Sequence, residues 1–85
     1  MIRAVFAGDR VTLSGHAGFG PKGSDLVCAG VSVLVETTAA LLSPAHVCLG
    51  DGFAVLQLEG KGAFLKTGLE LLERDFPECV EVRER

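Results

Sequence analysis

His16 and Cys28 lie on either side of a glycine-rich segment, and Cys28 falls just inside a predicted helix start. A thiol attacks a carbonyl only as thiolate, and its ionisation is favoured by a nearby imidazolium and by the positive end of a helix dipole. Ser24 is a candidate N-cap, because its hydroxyl can accept a backbone N–H of the first turn, and the charge of Asp25 suits the same dipole. These residue types indicate an activated thiol with His16 as its base.

One face of the predicted helix carries four polar side chains at helical spacing. They follow one another at intervals of three, four and four residues, at Asp25, Cys28, Ser32 and Glu36. This spacing places a carboxylate, a thiol and a hydroxyl on one side of the helix. Backbone N–H groups at the helix start are donors for a developing oxyanion. Nucleophile, base and oxyanion donors can therefore all come from this chain.

Each of these residues also has a simpler structural explanation. A lone cysteine on a helix usually packs in a core, and only the pairing with His16 favours catalysis by Cys28. Asp25 is as consistent with a helix charge in the first turn as with an orienting role. The hydroxyl of Ser32 can bond a backbone carbonyl one turn back, and direct chemistry by Ser32 is not expected.

Hydrophobic patterning predicts the elements that must position these residues. It favours strands at 1–7 and 10–15, a helix at 24–42, strands at 46–50 and 53–59, a helix at 62–76 and a strand at 79–83. We expect one domain over residues 1–85, of the α/β class and α+β type. Its order is β-β-α-β-β-α-β, with one mixed sheet and both helices on one face.

The two predicted helices differ in their apolar surface. The first is apolar over most of its circumference, at Leu26, Val27, Val31, Leu34, Val35, Leu41 and Leu42. The second is amphipathic, with a stripe at Phe64, Leu65, Gly68, Leu69, Leu72 and Phe76. Tertiary burial must stabilise the first, because its valines are poor helix formers.

The segment around Cys28 resembles the ribosomal-processing cysteine protease family, Prp. The family signature is Gly-His-Ala, a glycine-containing loop, and then Asp-hydrophobic-Val-Cys-Ala-small-x-Ser. This chain has Gly-His-Ala at 15–17 and Asp-Leu-Val-Cys-Ala-Gly-Val-Ser at 25–32. The resemblance implies a cysteine endopeptidase with Cys28 as nucleophile, His16 as base, and Asp25 and Ser32 as supporting residues.

The resemblance also implies a biological role. Members of the family are cytoplasmic, commonly dimeric, and remove the N-terminal extension of a large-subunit ribosomal protein. No cofactor and no metal is required. The intervening glycines, Gly18, Gly20 and Gly23, are expected to leave this loop open until it closes over an extended peptide.

Composition agrees with such a role. A chain of 85 residues with 48% hydrophobic residues and a mean hydropathy of +0.40 is more apolar than a small monomer needs, which predicts a homodimer. A net charge of −3 argues against direct contact with nucleic acid and favours a ribosomal protein peptide as partner. The first residues lack a signal peptide and no stretch could span a membrane, so we expect a cytoplasmic protein.

The three cysteines cannot all pair within one chain, so free thiols in a reducing compartment are expected. Cys48 and Cys79 fall in predicted strands, where core or half-buried positions are expected. His46 and Cys48 could be combined with Cys28 as zinc ligands, but no Cys-x-x-Cys or His-x-x-x-His pair supports a metal site.

Two other functions compete with proteolysis. The segment 18–23 satisfies G-x-G-x-x-G between a strand and a helix, a pattern that can bind phosphate through backbone N–H groups. The preceding strand belongs to a hairpin, however, and the chain is too short for a dinucleotide-binding fold. The other alternative is a non-catalytic module that presents the loop and the apolar helix to a ribosomal partner.

Overall fold

The elements form in the predicted order. The computed structural model describes residues 1–15 and 24–85, and within this range the side chains of Ser24 and Asp25 are not described. The elements are β1 (Ile2–Ala7), β2 (Arg10–Ser14), α1 (Ser24–Ala40), a 3₁₀ turn (Pro44–His46), β3 (Val47–Gly50), β4 (Phe53–Gln57), α2 (Ala63–Asp75) and β5 (Val80–Glu84). The predicted α+β architecture is confirmed, although α1 ends two residues earlier than its apolar pattern suggested.

The five strands make one mixed sheet in the order β3-β4-β2-β1-β5. β5 is parallel to β1, and the other neighbours are antiparallel. The register sets Phe53 beside both Ser14 and Gly50, while Gln57 lies beside Arg10. We name the two ends of the sheet after the ends of β4, as the Phe53 end and the Gln57 end.

Strand alternation and two helix faces build a single apolar cluster. The inward strand positions include Ile2, Ala4, Phe6, Val11, Leu13, Ala54, Leu56 and Val80, and the helices add Val27, Val31, Val35, Leu65 and Leu69. A fully buried leucine such as Leu56 contributes about 2 kcal/mol by leaving water. α1 joins this core through the face that carries Val27, Val31 and Val35, and that face packs on the sheet.

The two helices approach each other closely. A Cβ added at Gly68 of α2 would overlap the side chain of Leu34 on α1, so the absence of a side chain there permits the contact. Of the apolar residues in the predicted helix stripes, Leu26, Leu41 and Phe64 are exposed rather than buried. α1 packs against the sheet on one side and α2 on another, and no other described element covers its third side.

Of the two cysteines expected at core or half-buried positions, one is buried and the other is not. Cys79 is buried, as expected, but Cys48 is exposed, because it lies on β3 at the edge of the sheet. All three cysteines are free. Within residues 1–15 and 24–85, neither helix is long and apolar enough to cross a membrane.

Candidate active site

A cleft of about 370 Å³ opens at the Phe53 end of the sheet. One wall is a face of α1, and the opposite wall is the β3–β4 turn with the end of β2. Cys28, Ser32 and Glu36 all line it, so three of the four polar positions predicted to share a helix face meet one cavity. Ser14 and Gly15 line the cleft where β2 ends.

Gly15 fixes the backbone at the point where the His16 segment begins. Its N–H donates a 2.9 Å hydrogen bond to the carbonyl oxygen of Gly52 in the β3–β4 turn. Its φ is +96°, and a Cβ there would overlap the carbonyl oxygen of Met1. Only glycine fits a positive φ with backbone so close. The chain therefore enters the His16 segment from the edge of the cleft where β2 ends.

Phe53 supplies an apolar wall. Its ring lies over Gly50 on the neighbouring strand, in the space that a side chain at residue 50 would occupy. An aromatic ring that covers a cross-strand glycine is held in place by that contact. With the exposed side chain of Leu49, it offers the cleft a hydrophobic surface.

Cys28 is half-buried, with its side chain packed against the core cluster and lining the cleft. It is the fifth residue of α1, close to the positive end of the helix dipole. A thiol at this position is accessible from the cleft and close to unpaired backbone N–H groups of the first turn. This arrangement suits nucleophilic attack on a carbonyl with backbone stabilisation of the oxyanion.

Ser32 follows one turn later and is exposed to the cleft. Within the described part of the chain, its hydroxyl makes no hydrogen bond, whereas the hydroxyl of Thr38 donates to the carbonyl oxygen of Leu34 at 2.8 Å. The simpler explanation for a helical hydroxyl therefore holds for Thr38 and not for Ser32. The Ser32 hydroxyl is left available to a bound molecule.

Several predicted site residues lie outside the described residues. His16, Gly18, Gly20 and Gly23 belong to the segment 16–23, and of Asp25 only the helical backbone is described. The pairing of His16 with Cys28 and the phosphate-binding alternative for 18–23 therefore stay predictions. The roles of Asp25 and Ser32 stay predictions as well.

The zinc-ligand alternative does not agree with the positions of its residues. His46 lies at the Gln57 end, where its Nδ1 is 2.8 Å from Oε2 of Glu59, whereas Cys28 lines the cleft at the Phe53 end. Across the ranges 1–15 and 24–85, no three His, Cys, Asp or Glu side chains are placed to hold a metal ion.

The β3–β4 turn was missed as part of the site. Its Gly-Asp-Gly sequence indicates a turn, but nothing in it indicates that the turn faces α1. That placement follows from β4 pairing with β2, so that Phe53 lies beside Ser14. Long-range strand order carries this information, and one sequence does not show it.

A thiol near the start of a helix, facing an open cleft of an α+β fold, is the arrangement that a thiol hydrolase requires of its nucleophile. Comparison with known families identifies the family to which the chain belongs. The model of the family described as cysteine protease Prp matches residues 1–81, and this chain belongs to that family. It is a cysteine protease.

Solved structures share the fold over the whole chain. SMU.848 from Streptococcus mutans is 26% identical, with a TM-score of 0.74 over 99% of this chain and 93% of that one. The ribosomal processing protease Prp from S. aureus with a covalently linked product peptide is 21% identical, with a TM-score of 0.76 over 100% of both chains. Its complex with a substrate peptide is 19% identical, with a TM-score of 0.78 and the same coverage. No curated protein matches the chain.

Proposed function

We propose that this chain is a processing endopeptidase that removes the N-terminal extension of a large-subunit ribosomal protein. Membership of the cysteine protease Prp family supports the reaction class. The S. aureus Prp is an essential ribosomal processing protease whose structures hold a substrate peptide and a covalently linked product peptide. The observation that carries the proposal is the position of Cys28 on the wall of an open cleft.

In the proposed reaction, His16 takes the proton from Sγ of Cys28 and the thiolate attacks the scissile carbonyl carbon. Backbone N–H groups of the first turn of α1 hold the oxyanion. His16 then returns the proton to the leaving amine as the C–N bond breaks. Water, deprotonated by His16, hydrolyses the thioester and releases the new carboxylate.

The peptide is proposed to lie extended between α1 and the β3–β4 turn. Phe53 and Leu49 would pack against its apolar side chains, and the Ser32 hydroxyl would bond its backbone. Asp25 would orient the catalytic pair, and the segment with Gly18, Gly20 and Gly23 would cover the bound peptide. These contacts recognise a peptide and need no contact with RNA.

The test uses peptides that tile the N-terminal segments of the large-subunit ribosomal proteins from the same genome. Wild-type protein should cleave one of them, and mass spectrometry identifies the bond. Cys28→Ala and His16→Ala should each lower kcat/KM by about 10³-fold or more, since either residue alone is essential to the pair. Cys48→Ala removes an exposed cysteine outside the cleft lining and should leave activity unchanged. A folded Cys28→Ala protein with the wild-type rate would remove the proposed nucleophile.

We further propose that a second copy of the chain covers the outer side of α1. Leu26 and Val33 are 69% and 62% exposed there, Leu41 just after the helix is 59% exposed, and the only charged residues of α1 are Asp25 and Glu36. Two such faces are complementary about a twofold axis, and their contact would remove apolar surface that the core cannot cover. The three free thiols fit a cytoplasmic location.

Sedimentation at micromolar concentration tests the dimer. Wild-type protein should sediment as a dimer, and Val33→Glu should sediment as a monomer because the charge would be buried in the contact. Leu71→Glu changes an apolar residue on α2 that is also exposed, 47% against 62% for Val33, and should remain dimeric. A monomeric wild type would contradict the proposed contact.

A further inference from the structure

We infer that Glu36 selects a substrate with a lysine or arginine three or four residues from the scissile bond. The inference rests on the proposed function, because it assumes that Cys28 marks the scissile bond. Glu36 lines the same cleft as Cys28, with Ser32 between them. It would be a specificity-determining residue with no part in the bond-breaking steps.

Helix geometry sets the distance. Glu36 follows Cys28 by two turns of α1, which is a rise of about 12 Å at 1.5 Å per residue. An extended peptide advances about 3.3 Å per residue. A peptide that runs along α1 with its scissile carbonyl at Cys28 therefore brings its third or fourth neighbouring residue to Glu36.

The charge of Glu36 has no counterpart among the residues that the structure describes. The helix positions three and four residues away are Ser32, Val33, Ala39 and Ala40, so no intrahelical ion pair forms. The described residues provide no ion pair or hydrogen bond to Glu36 in tertiary contacts either. Glu36 also lies in the second half of α1, where the negative end of the helix dipole disfavours a carboxylate.

The described part of the cleft lining provides no cation to offset Glu36. It includes no lysine or arginine. A cleft lined by one sign of charge between low-dielectric walls attracts the opposite charge. A cationic side chain on the peptide would meet this potential and offset the unfavourable position of Glu36.

Glu70 is a matched acid without these properties. It is exposed on α2, outside the cleft lining, and Lys66 and Arg74 lie four residues away on either side. Removal of its charge alters the net charge of the protein by the same amount as removal of the charge of Glu36. Any effect specific to the cleft must therefore distinguish Glu36→Gln from Glu70→Gln.

The experiment takes the ribosomal peptide that wild-type protein cleaves and varies the third and fourth residues on each side of the scissile bond. Each position carries lysine, methionine or glutamate in turn. At one of these positions, wild type should prefer lysine to methionine by about threefold and lysine to glutamate by about tenfold in kcat/KM. Glu36→Gln should abolish the preference, Glu36→Lys should reverse it, and Glu70→Gln should keep it. Added salt should weaken the wild-type preference.

The outcomes separate this inference from the proposed function. If wild type cleaves no ribosomal peptide, both fall. If it cleaves one and the ratio of lysine to methionine peptides is the same for wild type and Glu36→Gln, only the role of Glu36 falls. A retained lysine preference in Glu36→Lys would also overturn it, and a thermal melt confirms that each variant is folded.

Discussion

Polar side chains are paired at the Gln57 end of the sheet, whereas three polar side chains of α1 at the Phe53 end have no partner among the described residues. At the Gln57 end, Oε2 of Glu59 accepts a 2.7 Å hydrogen bond from the backbone N–H of Ser43 and lies 2.8 Å from Nδ1 of His46. The carboxylate of Asp9 accepts from the N–H of Gly60 at 3.0 and 3.1 Å. These contacts join the β1–β2 turn, the segment after β4 and the segment after α1.

At the Phe53 end, the polar side chains of α1 face the cleft instead. Cys28, Ser32 and Glu36 have no hydrogen-bond or ion-pair partner among the residues that the structure describes. The contrast shows that polar side chains have different roles at the two ends of the same small fold. The Gln57 end uses them to fix loops, and at the Phe53 end those of α1 face the cleft without a partner among the described residues.

Glu59 shows how firmly the paired end is held. Its φ is +54°, a left-handed conformation that costs a side-chain-bearing residue about 1 kcal/mol. The hydrogen bond from Ser43, with the contact to His46, lowers the pKa of Glu59 to about 2 from its ordinary 4.5. The carboxylate is thus preferred in its charged form, as a group that accepts hydrogen bonds should be.

The largest effect on stability is expected from a glycine at the Phe53 end. Gly15→Ala should lower the free energy of unfolding by about 3 kcal/mol, because its Cβ would collide with the backbone of Met1 at a positive φ. Gly8→Ala, at the other end of the sheet, has open space around it and should cost about 1 kcal/mol. Urea unfolding of both variants measures the difference, and equal losses would show that Gly15 is not constrained by its contacts.

The cleft wall should matter for activity and the opposite end should not. Phe53→Ala should lower kcat/KM for the cleaved peptide by about tenfold, because an apolar side chain of the substrate loses its partner. Phe64→Ala removes an aromatic side chain that is also exposed, 56% against 46% for Phe53, but lies outside the cleft lining. It should leave kcat/KM unchanged, and a similar loss in both variants would disprove the wall assignment.

Two hydroxyls on α1 allow a polar group that stabilises the fold to be compared with one that has no partner among the described residues. Thr38→Val should destabilise the protein by about 1 kcal/mol, since Thr38 is buried and its hydroxyl donates to the carbonyl of Leu34. Ser32→Ala should change the unfolding free energy by less than about 0.5 kcal/mol, because Ser32 is exposed and unpaired among the described residues. Guanidinium unfolding decides between them, and an equal loss would mean that Ser32 has a structural bond.

The smallest effect is a pH dependence at the paired end. Because the folded pKa of Glu59 is lowered, its contribution to stability is present above the unfolded pKa of 4.5 and is lost as pH falls towards 2. The urea midpoint of wild type should exceed that of Glu59→Gln at about pH 6, and the difference should shrink at about pH 2.5. Glu59→Gln should keep wild-type activity, since the cleft lies at the other end. A difference that grows on acidification would contradict the lowered pKa.

The sequence by itself determined the elements and the face of α1 that carries the polar residues. Alternation predicted β1, β2 and β5, because a strand buried on one face repeats every two residues, and the Gly-Asp-Gly turn predicted the hairpin of β3 and β4. The three- and four-residue spacing brought Cys28, Ser32 and Glu36 to one cleft because it follows the helical period. Local periodicity is a property of neighbouring residues, so one sequence is enough to show it.

Tertiary structure decided what each face contacts. The helix period cannot distinguish an apolar face that meets a sheet from one left open, which is why Leu26 and Leu41 were expected to share the buried pattern of Val27. Cys48 is exposed because β3 is an edge strand, and strand order is a long-range property. The same order places Phe53 beside Ser14, opposite Cys28. The cleft therefore depends on pairings between distant segments, which no local pattern encodes.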